Sequence, residues 1–290
     1  MKVLSFGEIL FDCYPTKETI GGAPFNVSTY LAALGWDSFL YSAIGQDERG
    51  KNAKEVLAKH KVQSDFLQEN PNLPTGICRI TYRNKEPIYD LSQYSAYDAI
   101  IEQNDVYADS FDALYFGTLA QRNETSRKTL QKLIQKGQYD TVFFDMNLRQ
   151  NYYHASQIEK DLKMASIVKV NREEFSYVKQ LALCPDTDIQ EECKTICQRY
   201  DIATLLVTLD KDGAACYDSH YGFTAVRAVK SKFVSAVGAG DSFSACFLHH
   251  FKQGKSPQAA MKKAGLLASY VISARETIPP LLPHILEKVR

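Results

Sequence analysis

Gly238-Ala239-Gly240-Asp241 stand inside FVSAVGAGDSF, between an apolar stretch and SFSACFLHHF, a run that suits a buried helix. Glycines at 238 and 240 permit a tight turn with its amides facing outward. Amides at the positive end of a helix form an anion site that needs no lysine. The loop would then be a phosphate cradle with a base, Asp241, in the first helical turn. An aspartate in that place is also an ordinary helix cap, so spacing alone leaves both readings open.

Other glycine patterns in the chain do not qualify. GQDERGKN (Gly45 to Asn52) approaches the phosphate-loop pattern GxxxxGK[ST] but has Asn52 where the hydroxyl belongs. Asp47 and Glu48 would also place negative charge where phosphate sits. GKS at Gly254 to Ser256 has His249 where that pattern needs its first glycine. GAGDSF is not a dinucleotide fingerprint either, because Phe243 takes the third glycine position.

The elements that must carry such a loop are legible as an alternation. VLSFGEILF, DSFLYSAIG, ALYFGTL, TVFFDMN, SIVKVN and TLLVTLD read as strands. Between them NVSTYLAALG, ERGKNAKEVLAKHK, ETSRKTLQKLIQKG, REEFSYVKQLA and IQEECKTICQRY read as helices. That order predicts an α/β chain with a mainly parallel sheet covered on both faces. Ligands in such folds gather beyond the carboxyl ends of the strands. Thr75 to Asp98 breaks the rhythm: it reads as two tyrosine-rich strands turning near Arg83-Asn84-Lys85, a lid or an interface. GAACYDSHYGFTAVRAV reads as a second hairpin, turning near Ser219 to Gly222. The expected organisation is one domain over 1–290, with a lid formed by about 10–22 and 75–98.

Composition narrows the partners. Lys+Arg and Asp+Glu are both 34, so no net field favours nucleic acid or an anionic membrane. No apolar run approaches about 18 residues, and MKVLSFGEILFD reads as a strand and not a signal peptide, so a cytoplasmic protein is expected. The seven cysteines contain no CxxC pair; Cys193 and Cys197 are helix neighbours without further ligands and read as isolated core thiols. The histidines form no metal-spaced cluster, and His249-His250 mark a helix end.

GAGDSF after an apolar strand resembles the second signature of the ribokinase-like sugar kinases, the phosphofructokinase B-type family. Other motifs agree in the family's order over nearly the whole chain. GEILFD (Gly7 to Asp12) resembles its first strand, GGAPFNV (Gly21 to Val27) its sugar-binding loop, and LGWDSFLYSAIGQDERG its first signature. FDMNLRQNYY resembles the DxNxR segment, VNREE the NxxE motif, and VTLDKDGA the TLGxxGA turn beside the nucleotide.

The resemblance implies a ribokinase-like fold and an ATP- and magnesium-dependent sugar kinase. It implies Asp241 as catalytic base and the amides of Gly238, Ala239 and Gly240 as an anion hole. Asn171 and Glu174 would organise magnesium and the phosphates, Glu174 through water. Thr208 and Gly213 would line the nucleotide. Asp12, Gly22 and Asn26 would hold sugar hydroxyls, and Arg149 would reach the substrate or the transferred phosphoryl group. The chemistry suits these residue types, since phosphoryl transfer is mostly positioning and charge stabilisation.

Three details refine the expectation. Ser235-Ala236-Val237 replaces the family's usual D-T-x, and Thr277 stands where a glycine is common, which predicts weak or absent potassium activation. Asp210 takes a glycine position in the nucleotide-side turn and either points outward or alters nucleotide preference. GGAPFN and DMNLRQNYY resemble fructokinases most, implying fructose phosphorylated at a primary hydroxyl. Kinases of 2-keto-3-deoxygluconate, ribose or ribosides are alternatives, with Arg149 or Arg83 as the extra cation an acid would need. Phe25, Tyr89, Tyr94 and Tyr97 are candidates to shape the pocket. A sugar-binding protein with little turnover is the non-enzymatic alternative, and a homodimer through the β lid is the expected assembly.

Overall fold

The computed structural model describes residues 1–83 and 86–289, and side chains outside 82–87. The Asn84-Lys85 turn and the Arg83 side chain, offered above as a cation, lie outside the described residues. The chain opens with β1 (Lys2–Phe6), then β2 (Leu10–Cys13), β3 (Glu18–Gly21), α1 (Ala23–Ala33), β4 (Asp37–Gly45), α2 (Glu48–Lys59) and β5 (Leu67–Asn70). It continues through β6 (Gly76–Arg83), β7 (Glu86–Leu91), β8 (Ser110–Phe111), β9 (Ala113–Phe116), α3 (Glu124–Lys136), β10 (Gln138–Tyr139), β11 (Val142–Asp145) and α4 (Ala155–Met164). The rest is β12 (Ile167–Asn171), α5 (Arg172–Leu181), α6 (Ile189–Tyr200), β13 (Thr204–Thr208), β14 (Ala214–Asp218), β15 (Gly222–Val226), α7 (Ala239–Lys252), α8 (Pro257–Ile272) and α9 (Pro283–Val289).

Nine strands form the main sheet in the order β15-β14-β13-β12-β11-β9-β1-β4-β5. Among the described residues only β14 runs against the others, antiparallel to β13 and to β15, with which it forms the hairpin expected from the sequence. The order reverses at β1, which pairs with β4 on one side and β9 on the other, so a crevice opens beyond its carboxyl end. Alternate residues face opposite layers. Leu4, Phe116, Phe144, Val168 and Val170 pack with Leu130 of α3, Ile158 of α4, Phe175 of α5 and Ile196 of α6. Val3, Tyr115, Phe143 and Ile167 pack instead with Tyr30 of α1, Phe247 of α7 and Met261 of α8.

VLSFGEILF, read as one strand, is two. β1 ends at Phe6, and the chain bends through Gly7–Ile9 into β2, which belongs to a separate four-stranded sheet, β3-β2-β6-β7. Glu8 is drawn inside at that bend, 3% exposed. The small sheet joins the body at short crossings. Thr75 donates its amide to Asp47 at 2.8 Å, the Asp47 that also caps α2 by accepting from Gly50. Arg122, held between the rings of Tyr97 and Tyr152, donates to Asp98 and to the Ser92 carbonyl. Helices α4, α8 and α9 were not among the sequence expectations; α8 carries Ala260, Ala264 and Leu267 inside and lacks a strong polar face, so it shows little periodicity. Among the described residues no helix is long and apolar enough to cross a membrane.

Cys193 and Cys197 are buried core thiols, as expected, but not every cysteine is. Cys78, Cys193, Cys197, Cys216 and Cys246 are buried, but Cys13 and Cys184 are only half-buried, because they sit on the small sheet and on a surface turn. His249 and His250 are buried near the end of α7, bonded to the Trp36 indole and the Val289 carbonyl.

Candidate active site

The loop 235–238 ends on Gly238, which has φ 81° and caps α7, so Asp241 falls in the first turn. A β-carbon on Gly238 would stand 2.6 Å from the Thr277 carbonyl oxygen. The left-handed backbone and this close approach together require glycine there. The Ala239 amide turns back to the Ala236 carbonyl at 3.2 Å. Among the described residues the amides of Gly238 and Gly240 have no recorded partner, whereas Ala239, the third expected donor, is already engaged.

Asp241 is partly buried, and Asn26 of α1 donates to its Oδ2 at 2.7 Å across the crevice. Asn26 is 4% exposed and its Oδ1 is buried without a partner among the described residues. Such an unpartnered buried acceptor has capacity for a further hydrogen-bond donor. Burial pushes the Asp241 carboxyl above the ordinary value, the Asn26 bond opposes this, Asp145 adds to it, and Lys169 and Arg149 oppose it. Asp12 on β2 is pushed up to about 6, mainly by burial, with Arg149 lowering and Asp241 raising it. Glu8 rises to about 7 from burial, against hydrogen bonds that include the Ala23 amide, and again senses Arg149 and Asp241. Three carboxyls and one guanidinium thus share one electrostatic neighbourhood. Gly22 caps α1 directly over Glu8, at φ 110°. Arg149 follows β11, is exposed, and donates to no protein group among the described residues.

A second group lies at the neighbouring strand ends. Asn171 and Thr208 are register partners at the ends of β12 and β13. Asn171 caps α5 by accepting from the Glu174 amide at 2.9 Å, and Glu174 returns the bond from the Asn171 amide at 2.8 Å. The other Glu174 oxygen accepts from Leu148 at 2.8 Å. This is a capping box, so the ordinary helix-cap reading of NxxE is realised. Each carboxylate oxygen accepts one such bond and retains acceptor capacity for another. Gly213 follows Thr208 by one turn, at φ 111°. Asp210 adopts φ 52°, the conformation that favours the family's glycine, and its side chain is 79% exposed, 3.8 Å from Arg172. It points outward.

Sequence reasoning gave no role to two groups, although one, Asp145, opens the DxNxR segment. Lys169 of β12 and Asp145 of β11 form an ion pair at 2.9 Å, 7% and 1% exposed. Asp145 also accepts from Tyr115 at 3.0 Å and from Ser244 of α7 at 2.7 Å. The signal was a charge set inside each of two apolar strand runs, FFD and VKV, where an unpaired ion is costly. Of the aromatic candidates, Phe25 and Tyr97 are core residues, while Tyr89 and Tyr94 are exposed on and beyond β7. Among the described residues, no group of three or more His, Cys, Asp or Glu is placed to hold a metal directly.

The chain has known relatives. The model of the pfkB family carbohydrate kinases matches residues 2–285. A fructokinase of Salmonella typhimurium is 25% identical over 262 residues, covering 85% of this chain and 83% of that one. The crystal structure of a fructokinase from Xylella fastidiosa with bound ATP superposes with a TM-score of 0.86 at 19% identity, covering 99% of this chain and 97% of that one. The aminoimidazole riboside kinase of Salmonella enterica, complexed with aminoimidazole riboside and an ATP analogue, gives 0.82 at 22% identity, covering 100% and 99%. The fold is ribokinase-like, and with nearly its whole length matched the chain belongs to the pfkB family of carbohydrate kinases, phosphotransferases that use ATP and a sugar hydroxyl acceptor.

Proposed function

We propose that the chain transfers the γ-phosphate of ATP to a primary hydroxyl of a hexose, fructose first. The observation that supports this most is the pairing of Asn26 with Asp241 at 2.7 Å, which joins the GGAPFN loop to the GAGD turn. Asp241 takes the proton of the attacking hydroxyl, and the amides of Gly238 and Gly240 face the developing phosphoryl charge. Asp12, Asn26 and the Gly22 turn grip sugar hydroxyls, and Arg149 steadies the sugar or the phosphoryl group. Thr208 and the Gly213 turn border the nucleotide. Short acceptors fixed in this way discriminate against molecules that lack the matching hydroxyl.

Magnesium suits the donor set near Glu174. The carboxylate is committed to two backbone amides, so it would hold the ion through water, with Asn171 beside it. The ion, when bound with the nucleotide, supplies charge neutralisation on the phosphates. The four-stranded sheet acts as a lid that limits water at the sugar. Its edge strand β7 exposes Ile88 and Tyr89, which suits pairing with a second copy; light scattering showing a monomer at high concentration would remove that assembly.

Potassium has little role on this reading. Ser235 Oγ accepts from the Val237 amide at 3.2 Å, and the Thr277 carbonyl accepts from the Tyr30 hydroxyl at 2.8 Å. A many-fold rise in activity on adding potassium chloride to a sodium- and potassium-free assay would refute this point. The decisive experiment for the whole reading is a coupled ATPase assay over sugars, sugar acids and nucleosides. Fructose should give the highest kcat/KM; preference for an acid or a riboside reassigns the substrate. Sugar binding by calorimetry without turnover makes the chain a sugar-binding protein.

A further inference from the structure

The side chain of Lys169 has no assigned part in the reaction, yet it lies directly behind the turn that does. Period-two alternation on β12 sends Val168 and Val170 to the α3–α6 layer and turns Lys169, like Ile167, toward α7. Asp145 pairs with Lys169 in strand register and faces the same way. The Nζ of Lys169 stands 3.1 Å from the point a β-carbon on Gly240 would occupy. A side chain at 240 would press on the ammonium, so the glycine serves this approach as well as any phosphate. Asp145, in turn, accepts from Ser244, one helical turn beyond Gly240. Lys169 and Ser244 both bind one carboxylate, and so fix the first turn of α7 against the sheet.

We propose that Lys169 is a positioning residue: its ammonium, wedged between Asp145 and Gly240, holds the anion-binding turn in place and supplies the fixed positive charge behind Asp241. The inference rests on the reading of residues 238–241 as the phosphoryl-transfer site. Lys169 is buried, with its ammonium 2.9 Å from the Asp145 carboxylate. The groups that face Asp241 come from several elements. They are Glu8 beyond β1, Asp12 on β2, Asn26 and Tyr30 on α1, Tyr115 on β9, Asp145 on β11, Arg149 beyond it, and Lys169 on β12. Lys169 and Asp145 act on Asp241 with opposite sign. Removing the ammonium should raise the pH at which Asp241 ionises; removing the Asp145 charge should lower it. Opposite shifts show that both charges act on Asp241, and a fall in kcat at little-changed KM separates positioning of the turn from support of the fold.

The test compares Lys169→Met and Asp145→Asn with the parent protein. Lys169→Met should lower kcat about 10²-fold, as loss of one fixed donor or charge does elsewhere, with KM for sugar and ATP little changed. Its acid limb of kcat should move to higher pH, and that of Asp145→Asn to lower pH. Limbs that stay put, or that move in the same direction in both variants, overturn the inference. A second readout needs no turnover: isotope-edited infrared titration of the Asp241 carboxyl in the free protein, assigned by the band lost in Asp241→Asn. That carboxyl should titrate higher in Lys169→Met and lower in Asp145→Asn. Opposite carboxyl shifts in a protein without sugar-dependent turnover uphold the charge relation and defeat the kinase reading. Unmoved carboxyls beside normal turnover do the reverse. Should Lys169→Met fail to fold, Asp145→Asn decides alone: a carboxyl that does not shift downward overturns the proposal.

Discussion

The two faces of the central strands are built from the same backbone and hold different chemistry. Toward α3–α6, residues such as Phe116, Phe144, Val168 and Val170 form an apolar layer. Toward α1, α7 and α8, the same strands interrupt a similar layer with Tyr115, Asp145 and Lys169, joined by Ser244 from above. A buried ion pair is weak evidence for stability, because desolvation offsets much of the attraction. Its position under the start of α7 makes sense as an arrangement for charge. One face supplies stability, and the other also sets the field in the crevice.

The strongest way to break that contrast is at its active end. Asp241→Asn should lower turnover by about 10²–10⁴-fold, with sugar and ATP affinity, read by calorimetry, little changed. Retention of a tenth or more of turnover would remove Asp241 from the mechanism. On the apolar face, Phe144→Ala should destabilise the fold by about 3–5 kcal/mol in denaturant titration. The pH profile of the folded fraction should stay as it was. A shifted profile would mean that the two faces are not separable.

Glu8 sharpens the contrast between pH-sensitive and pH-insensitive burial. Its carboxyl is raised from 4.5 to about 7 by burial, so the folded state binds the extra proton between those values. Stability from this group is therefore present at low pH and is lost as pH rises toward and through 7. Glu8→Gln should be more stable than the parent by roughly 3 kcal/mol at pH 8 and nearly equal to it at pH 4.5. Thermal melts across that range check the sign. The smallest effect belongs to Asp210→Gly, on an exposed turn outside both layers. Relieving its positive φ should gain less than about 1 kcal/mol, again read by melting.

How much of this was legible in the residues depended on how local each cause is. Strands such as DSFLYSAIG and helices such as REEFSYVKQLA declare themselves by period. Gly238 to Asp241, Asn171 with Glu174, and the 208–213 turn each lie within one short segment, so motif reading reached them. The bend at Gly7 was hidden because GEILF is apolar on either side of Glu8, and only the second sheet reveals it. The Lys169–Asp145 pair was hidden for a different reason. Its members are 24 residues apart, and which face each takes depends on register, which sequence does not print. Ala239 as an engaged donor is a matter of one peptide's orientation and leaves no trace in residue type.

The small sheet enters and leaves the body at four narrow places: Gly7–Ile9, Gly22, the Pro74–Thr75 segment tied to Asp47, and the Ser92 segment tied to Arg122. A panel joined by four short crossings, two of them pinned by hydrogen bonds to the body, has more restraints on its displacement than one hung on a single hinge. Asp12 rides on that panel, so any displacement of the sheet would also move its carboxyl relative to Arg149 and Asp241.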